Sequence, residues 1–289
     1  MAGTITRKTL LEMTRVHLHQ WPEEIPLASA LQAAATNIEL TDTVYKELLH
    51  PKAILQIEDE VMRVLDVPED GLNVRVLRGY MGTTKATHAI ERPIKVFPSW
   101  GWTDHEFINY HLPLALKFLK PFFWTWTESA AFTWAASSYT ATTPAAAAIS
   151  YPDGNHLIRL LYNDGVDYRP FTSWRLLGNT LHFREKSSSA LTLKAEYAKF
   201  QGALSSDTAT LDLDDCAEPL AMYMASLALN ALKSNRIRYA EYSASLNDRA
   251  STADELIRMG YDLRNQAIVA AEQRGRVLPG EYISTYRDR

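Results

Sequence analysis

Apolar residues change their spacing several times along the chain, and each change marks a different kind of element. In residues 5–19, Ile5, Leu10, Leu11, Met13 and Leu18 fall roughly on one helical side. Leu27 to Ala35 is alanine-rich and helix-favouring, so this region predicts two short helices joined through Pro22 and Pro26. From Asn37 to Phe97 the texture is different: AILQI, EVMRVLDV, LNVRVL and PIKVF are short segments rich in Val, Ile and Leu. In LNVRVL, Leu72, Val74 and Val76 share one face and Asn73 and Arg75 the other, as in a half-buried strand. Pro68-Glu69-Asp70-Gly71 predicts a turn in which Gly71 takes positive φ.

A third texture follows. Thr103 or Asp104 can cap a helix carrying Phe107, Ile108, Leu112, Leu114, Ala115, Phe118 and Leu119, with Pro121 ending or kinking it. Residues 128–202 return to β texture. Asn163-Asp164-Gly165 and Gly178-Asn179 give hairpin signals, because their central residues tolerate positive φ. From Asp214 onward the pattern is helical. Leu220, Met224, Leu227, Ala228 and Ala231 make one amphipathic stripe, with Asp214 or Asp215 as cap. Leu256, Met259, Leu263, Ala267 and Ala270 make a second, starting near Ser251 and stopped by Gly275.

The expected fold class is therefore α+β: a helical core of N-terminal, central and C-terminal helices with two inserted antiparallel β modules. The segments are 1–36 (N-terminal helices), 37–98 (small β module), 99–127 (central helix), 128–202 (a β-sandwich-like module), 203–275 (C-terminal helices) and 276–289 (an extended arm). The arm, RVLPGEYISTYRDR, is too polar and short to fold alone and would order only by docking.

Composition narrows the function classes. Of 289 residues, 46% are apolar, enough for a sizeable core, and 30 basic against 34 acidic residues give a net charge of -4 and a pI near 6.1. That balance lacks the electrostatic footprint of a dedicated nucleic-acid binder. The one cysteine, Cys216, excludes an internal disulfide framework and suggests synthesis in a reducing cytoplasm. No signal peptide is visible at the N-terminus. No run of eighteen apolar residues occurs, so a membrane span is not expected.

The stretch VLRGYMGTTKATHAIERPIKV, residues 76–96, is the one with motif-like texture. It is not a phosphate-binding loop: two residues rather than four separate Gly79 from Gly82, and Lys85 follows Thr84 rather than a glycine. His17 and His19 point about 200° apart on a helix, and His105 and His111 also diverge, so neither pair can hold one metal ion from one face. No nucleophile elbow or Cys-His signature is present. The reading is of a protein without catalysis of its own, needing no cofactor and no metal. Trp100, Trp102, Trp124, Trp126, Trp134 and Trp174 either fill a core or interface or offer faces on which sugars stack.

Arg78-Gly79, Gly82-Thr83-Thr84, His88 and the closing strand Pro93 to Val96, preceded by ILQIEDEVMRVLDV, resemble a β module that recurs in virion proteins of tailed bacteriophages. The family often has Gly shortly after the histidine, where this chain has Ala89-Ile90-Glu91-Arg92. The larger layout is similar to neck proteins, the head-to-tail adaptors beneath the portal. The resemblance implies a ring, in that family a dodecamer, placed between the portal protein and the tail or next neck protein. DNA would pass through its channel without sequence-specific contacts. It further implies a location in the virion neck after synthesis in the host cytoplasm, with no membrane partner. In this reading Arg78, Gly79, Gly82, Thr83, Thr84 and His88 shape a structural or interface loop. Leu220, Met224, Leu227, Leu256, Met259 and Leu263 form the subunit interface. Arg276, Val277, Leu278, Tyr282, Ile283 and Tyr286 dock the arm on the portal. The alternative is a tail, baseplate or glycan-binding structural protein with residues 128–202 as its binding head; a hydrolase hidden in that module is a third possibility.

Overall fold

A computed structural model describes residues 4–69, 71–151, 154–232, 236–245 and 253–273. It corrects the expected architecture. Among the described residues there are fourteen strands in three antiparallel sheets, and helix accounts for only about a third of the chain. The molecule is β-rich, not a helical core carrying two β insertions. The physical reason is that the sheets have apolar cores separate from the helical one, and that they recruit segments whose composition favours helix.

The first helix, α1 (Arg7–Leu18), begins where the Thr6 side chain accepts a hydrogen bond from the Thr9 N–H and ends on His19 in the left-handed region. The chain then becomes β1 (Glu23–Pro26). The six-stranded sheet that follows contains β1, β2 (Asn37–Glu39), β3 (Ile54–Ile57), β4 (Glu60–Asp66), β5 (Asn73–Leu77) and β6 (Pro93–Phe97), in the order β1-β6-β3-β4-β5-β2. Its core holds Ile25, Ile38, Leu55, Ile57, Val64, Val74 and Ile94. Leu27 to Ala35 is not a helix. Leu27 bridges Leu40, and Leu31 exchanges backbone hydrogen bonds with His88, so tertiary pairing overrides alanine's helix propensity there. At the turn before β5, Gly71 has φ +67° and donates its N–H to the Pro68 carbonyl.

The next helical stretch runs through α2 (Asp104–Glu106), a π-helical turn over Phe107–His111, and α3 (Leu112–Leu119). Thr103 and Glu106 form a reciprocal capping box at its start. Strand β7 (Trp124–Glu128) begins four residues earlier than the spacing suggests. With β10 (His156–Asn163), β11 (Tyr168–Phe171), β14 (Leu191–Phe200) and β8 (Phe132–Trp134) it makes a five-stranded sheet. A three-stranded sheet of β9 (Thr140–Thr142), β12 (Trp174–Leu177) and β13 (Thr180–Phe183) shares one core with it. In that core Trp134 stacks on Phe183, with ring centroids 3.9 Å apart. The hairpins β10–β11 and β12–β13 turn through Gly165 at φ +98° and Gly178 at φ +58°.

Finally α4 (Ala217–Leu232), α5 (Arg236–Ser245) and α6 (Ala253–Glu272) pack with α1 and α3 around Leu10, Leu18, Trp102, Phe107, Leu220 and Met224. Asp214 does not cap α4 from its own side. Its carboxylate accepts hydrogen bonds from the Thr4 and Ile5 N–H groups at 2.7 and 2.8 Å and so holds the N-terminal segment. No helix among the described residues is long and apolar enough to cross a membrane.

Candidate functional site

The loop after β5 is organised around a carboxylate that the motif pattern left in the background. Glu60 opens β4 with its side chain sealed from solvent. Arg78, at the end of β5, grips it through two parallel bonds of 2.6 Å, Nε to Oε1 and Nη2 to Oε2. The other Arg78 donors reach the carbonyls of Gln32, Ala35 and Ala86, so all five N–H donors of the guanidinium are engaged. Glu60 also accepts from the N–H groups of Gly79 and Ala86 and contacts His88 Nε2 at 2.9 Å. The other ring nitrogen of His88 lies 3.2 Å from Glu58, which in turn faces Arg92. Burial alone would raise the Glu60 carboxyl, but the hydrogen bonds from Arg78, Ala86 and His88 together with the Arg78 charge outweigh it and hold the group at about 2.

The network thus ties the 32–35 segment, the first residue of β4 and both ends of the 78–88 loop to one point. Gly79 stands at φ +65°, and a Cβ there would lie 2.9 Å from the Thr83 carbonyl oxygen, so glycine is required by both conformation and space. The Thr83 hydroxyl accepts from the Val61 N–H at 3.0 Å and donates to the Tyr80 carbonyl at 2.9 Å. Gly82 has φ +78° with open space around it, and Thr84 is exposed beside it. Three of the six loop residues, Arg78, Gly79 and His88, therefore converge on Glu60, Thr83 ties the loop to the neighbouring Val61, and Gly82 and Thr84 form the solvent-facing tip. With Glu60, Arg78 and His88 almost fully excluded from solvent, no reactant can reach them; what the arrangement can do is fix the shape of the loop it supports.

The α4 and α6 stripes lie elsewhere. Leu220, Met224, Leu256 and Leu263 are buried against the chain's own helices, with Leu227 and Met259 packed at the margin of that cluster. Most of their apolar area is covered within the chain itself. Arg276, Val277, Leu278, Tyr282, Ile283 and Tyr286 lie outside the described residues.

Spacing alone did not disclose a second buried charge network, which fastens the six-stranded sheet to the helices. Asp104 receives Arg15 from α1 at 2.5 Å and Lys95 from β6 at 2.6 Å, and its N–H donates to Gln56 of β3 at 2.9 Å. Burial would raise the Asp104 carboxyl, but the Arg15 and Lys95 charges and their hydrogen bonds lower it. The Arg15 guanidinium also lies 5.0 and 5.3 Å from the Phe97 and Phe107 rings. Nearby, Arg238 of α5 pairs with Glu106 at 2.7 Å. His111 is buried behind them, and burial, the Glu106 charge acting against it and Arg238 acting with it, brings the imidazole down to about 4.

One surface feature stands apart. Leu112, Ala115 and Leu119 of the central helical stretch point into the core, yet its opposite side is also apolar, with Tyr110, Leu114 and Phe118 exposed by 54, 44 and 53%. Each is four residues from the next, so they form a continuous outward stripe. The only sign of it in the sequence is a helix apolar all round, which normally indicates burial on every side.

Among the described residues no three His, Cys, Asp or Glu side chains are placed to hold a metal ion. No family model matches the chain, and no curated protein matches it closely enough to count as a relative.

Proposed function

We propose that this chain is a virion structural protein of a tailed phage, a head-to-tail adaptor whose copies close into a ring between portal and tail around the DNA channel. The observation that carries the reading is the outward stripe Tyr110, Leu114 and Phe118 on a helix whose inner side is already buried. A contiguous apolar face rimmed by polar residues marks a contact with another chain. A second copy is its occupant, because a ring needs one patch per subunit that meets a different patch on the next.

Two further features support the reading. The Glu60 and Asp104 networks hold the loop and the sheet–helix junction rigid, as a part that transmits force between neighbours requires. The 76–96 loop keeps the residues on which the resemblance to phage virion modules rests. Its tip residues Thr84, Lys85 and Ile90 face outward, where a neighbour could read them. The net charge of -4 suits a channel through which DNA slides without being held.

The test is assembly of the full chain. Sedimentation should give a closed oligomer, and Leu114→Glu with Tyr110→Glu should reduce it to single chains without unfolding them. A wild-type chain that stays monomeric at all accessible concentrations contradicts the proposal.

A further inference from the structure

The outer face of the three-stranded sheet carries a small cleft that the adaptor reading does not use. Its volume is about 260 Å³, and Ser173, Trp174, Arg175, Leu177, His182 and Arg184 line it. Cross-strand pairing explains how these residues meet. Arg175 lies opposite His182, which lies opposite Thr140, and Leu177 lies opposite Thr180, which lies opposite Thr142. Directly paired residues point to the same side of a sheet, so a basic and hydroxyl-bearing row runs across three strands.

The chemistry of the lining narrows the ligand. Two guanidinium groups share the cleft, and no carboxylate lines it. Neither Arg175 nor Arg184 has an ion pair among the described residues, whereas Arg159 and Arg169 in the neighbouring sheet are each matched to an acid. Two like charges placed together without a counter-charge repel, and an anion relieves that repulsion while using the planar fork of arginine. The Ser173 hydroxyl adds a donor and an acceptor suited to another hydroxyl. Leu177, 58% exposed and on the same side of β12 as Arg175, supplies apolar surface. Trp174 alternates with Arg175 along β12 and so turns to the core side, where its N–H is given to the Phe171 carbonyl at 2.8 Å; it anchors the strand beneath the cleft.

We infer that this cleft binds a sugar unit bearing a carboxylate or sulfate, with Arg175 and Arg184 holding the anionic group and Leu177 lying against the ring. The cleft is smaller than the roughly 300–1,000 Å³ of drug-sized sites, so it takes one ring or the end of a chain. A long nucleic acid is disfavoured because the cleft is a short concavity rather than a track and the whole chain is acidic.

Calorimetric titration of the full chain tests this, using a uronic-acid tetrasaccharide, a sulfated tetrasaccharide and neutral maltotetraose. The expected result is binding of at least one anionic probe and none of the neutral one, weakening as salt is raised. Arg175→Ser with Arg184→Ser should cut the affinity at least ten-fold. Both residues are exposed, so the variant keeps its fold, and its unchanged circular dichroism and assembly state verify this. Three outcomes overturn the inference: neither anionic probe binds, the double variant binds them as well as the wild type, or inorganic phosphate or a short oligonucleotide competes as strongly as the sugar. Ring formation is measured separately, so failure here leaves the adaptor proposal standing, and failure of the ring leaves this one standing.

Discussion

At the scale of single residues, the 78–88 loop shows why a motif can be visible while its chemistry is not. Arg78, Gly79 and His88 are close in sequence and could be singled out together. Glu60, which organises them, sits 18 residues before Arg78, and nothing in ILQIEDEVMRVLDV distinguishes it from Glu58 or Asp59. Only the register of β4 against β3 turns Glu60 inward. Because Arg78 is buried with every donor engaged, Glu60→Gln leaves an uncompensated charge in the interior. The expected loss is about 3–5 kcal/mol, read from denaturant unfolding, and Glu60→Leu with Arg78→Leu should lose less than Glu60→Gln alone. A double variant no better than the single one would show that the pair is not the source of the effect.

The pH dependence of stability separates two buried groups. His111 takes its proton at about 4 in the folded chain and near 6.5 when unfolded, so between those values the unfolded chain holds the extra proton. Its contribution is present above pH 6.5 and is lost as pH falls toward 4, by about 2–3 kcal/mol at pH 4.5. His111→Gln should flatten unfolding curves across that window. Glu60 is also depressed, from 4.5 to about 2, so its contribution is present above pH 4.5 and is lost only as pH falls toward 2. A stability loss between pH 6.5 and 4.5 that survives in the His111→Gln protein would assign it to other groups.

At the scale of elements, apolar period identified α1 and α4, period together with the Thr103 cap identified the central helical stretch, and glycine identified the two hairpins, because those signals agree with the tertiary structure. The segment from Leu27 to Ala35 failed for the opposite reason. Alanine's preference for helix is worth only tenths of a kcal/mol per residue against most alternatives, and the backbone pairing of Leu31 with His88 outweighs it. The α4 stripe was legible as buried, but burial within the subunit and burial between subunits leave the same pattern. The stripe that faces outward instead lies on the central helical stretch. Leu114→Glu should leave the unfolding midpoint within about 0.5 kcal/mol of wild type, as a surface change does, while weakening self-association at least ten-fold by sedimentation. Equal loss of stability would place Leu114 in the core rather than at a contact.

At the scale of the whole molecule, the expectation of a helical core with β insertions gave way to three antiparallel sheets with helix in about a third of the chain. Local periodicity reports elements one at a time. It does not say that Glu23–Pro26, flanked by prolines, would complete a six-stranded sheet by pairing with residues 93–96 some seventy positions on. Nor does it reveal that Arg15, Lys95 and Asp104, from three elements, meet to fasten sheet to helices. The arm is tested at this scale too. Deleting residues 276–289 should abolish binding to the portal while leaving the chain folded, measured by co-sedimentation, and undiminished binding would remove the arm from the proposal.

The central claim is that the chain works by assembling, first with itself and then with the pieces above and below it. The most direct measurement is the native mass of the purified chain, alone and mixed with portal. A closed ring of identical subunits that gains the mass of the portal on mixing is the predicted result; a single chain whose mass does not change on mixing would contradict it.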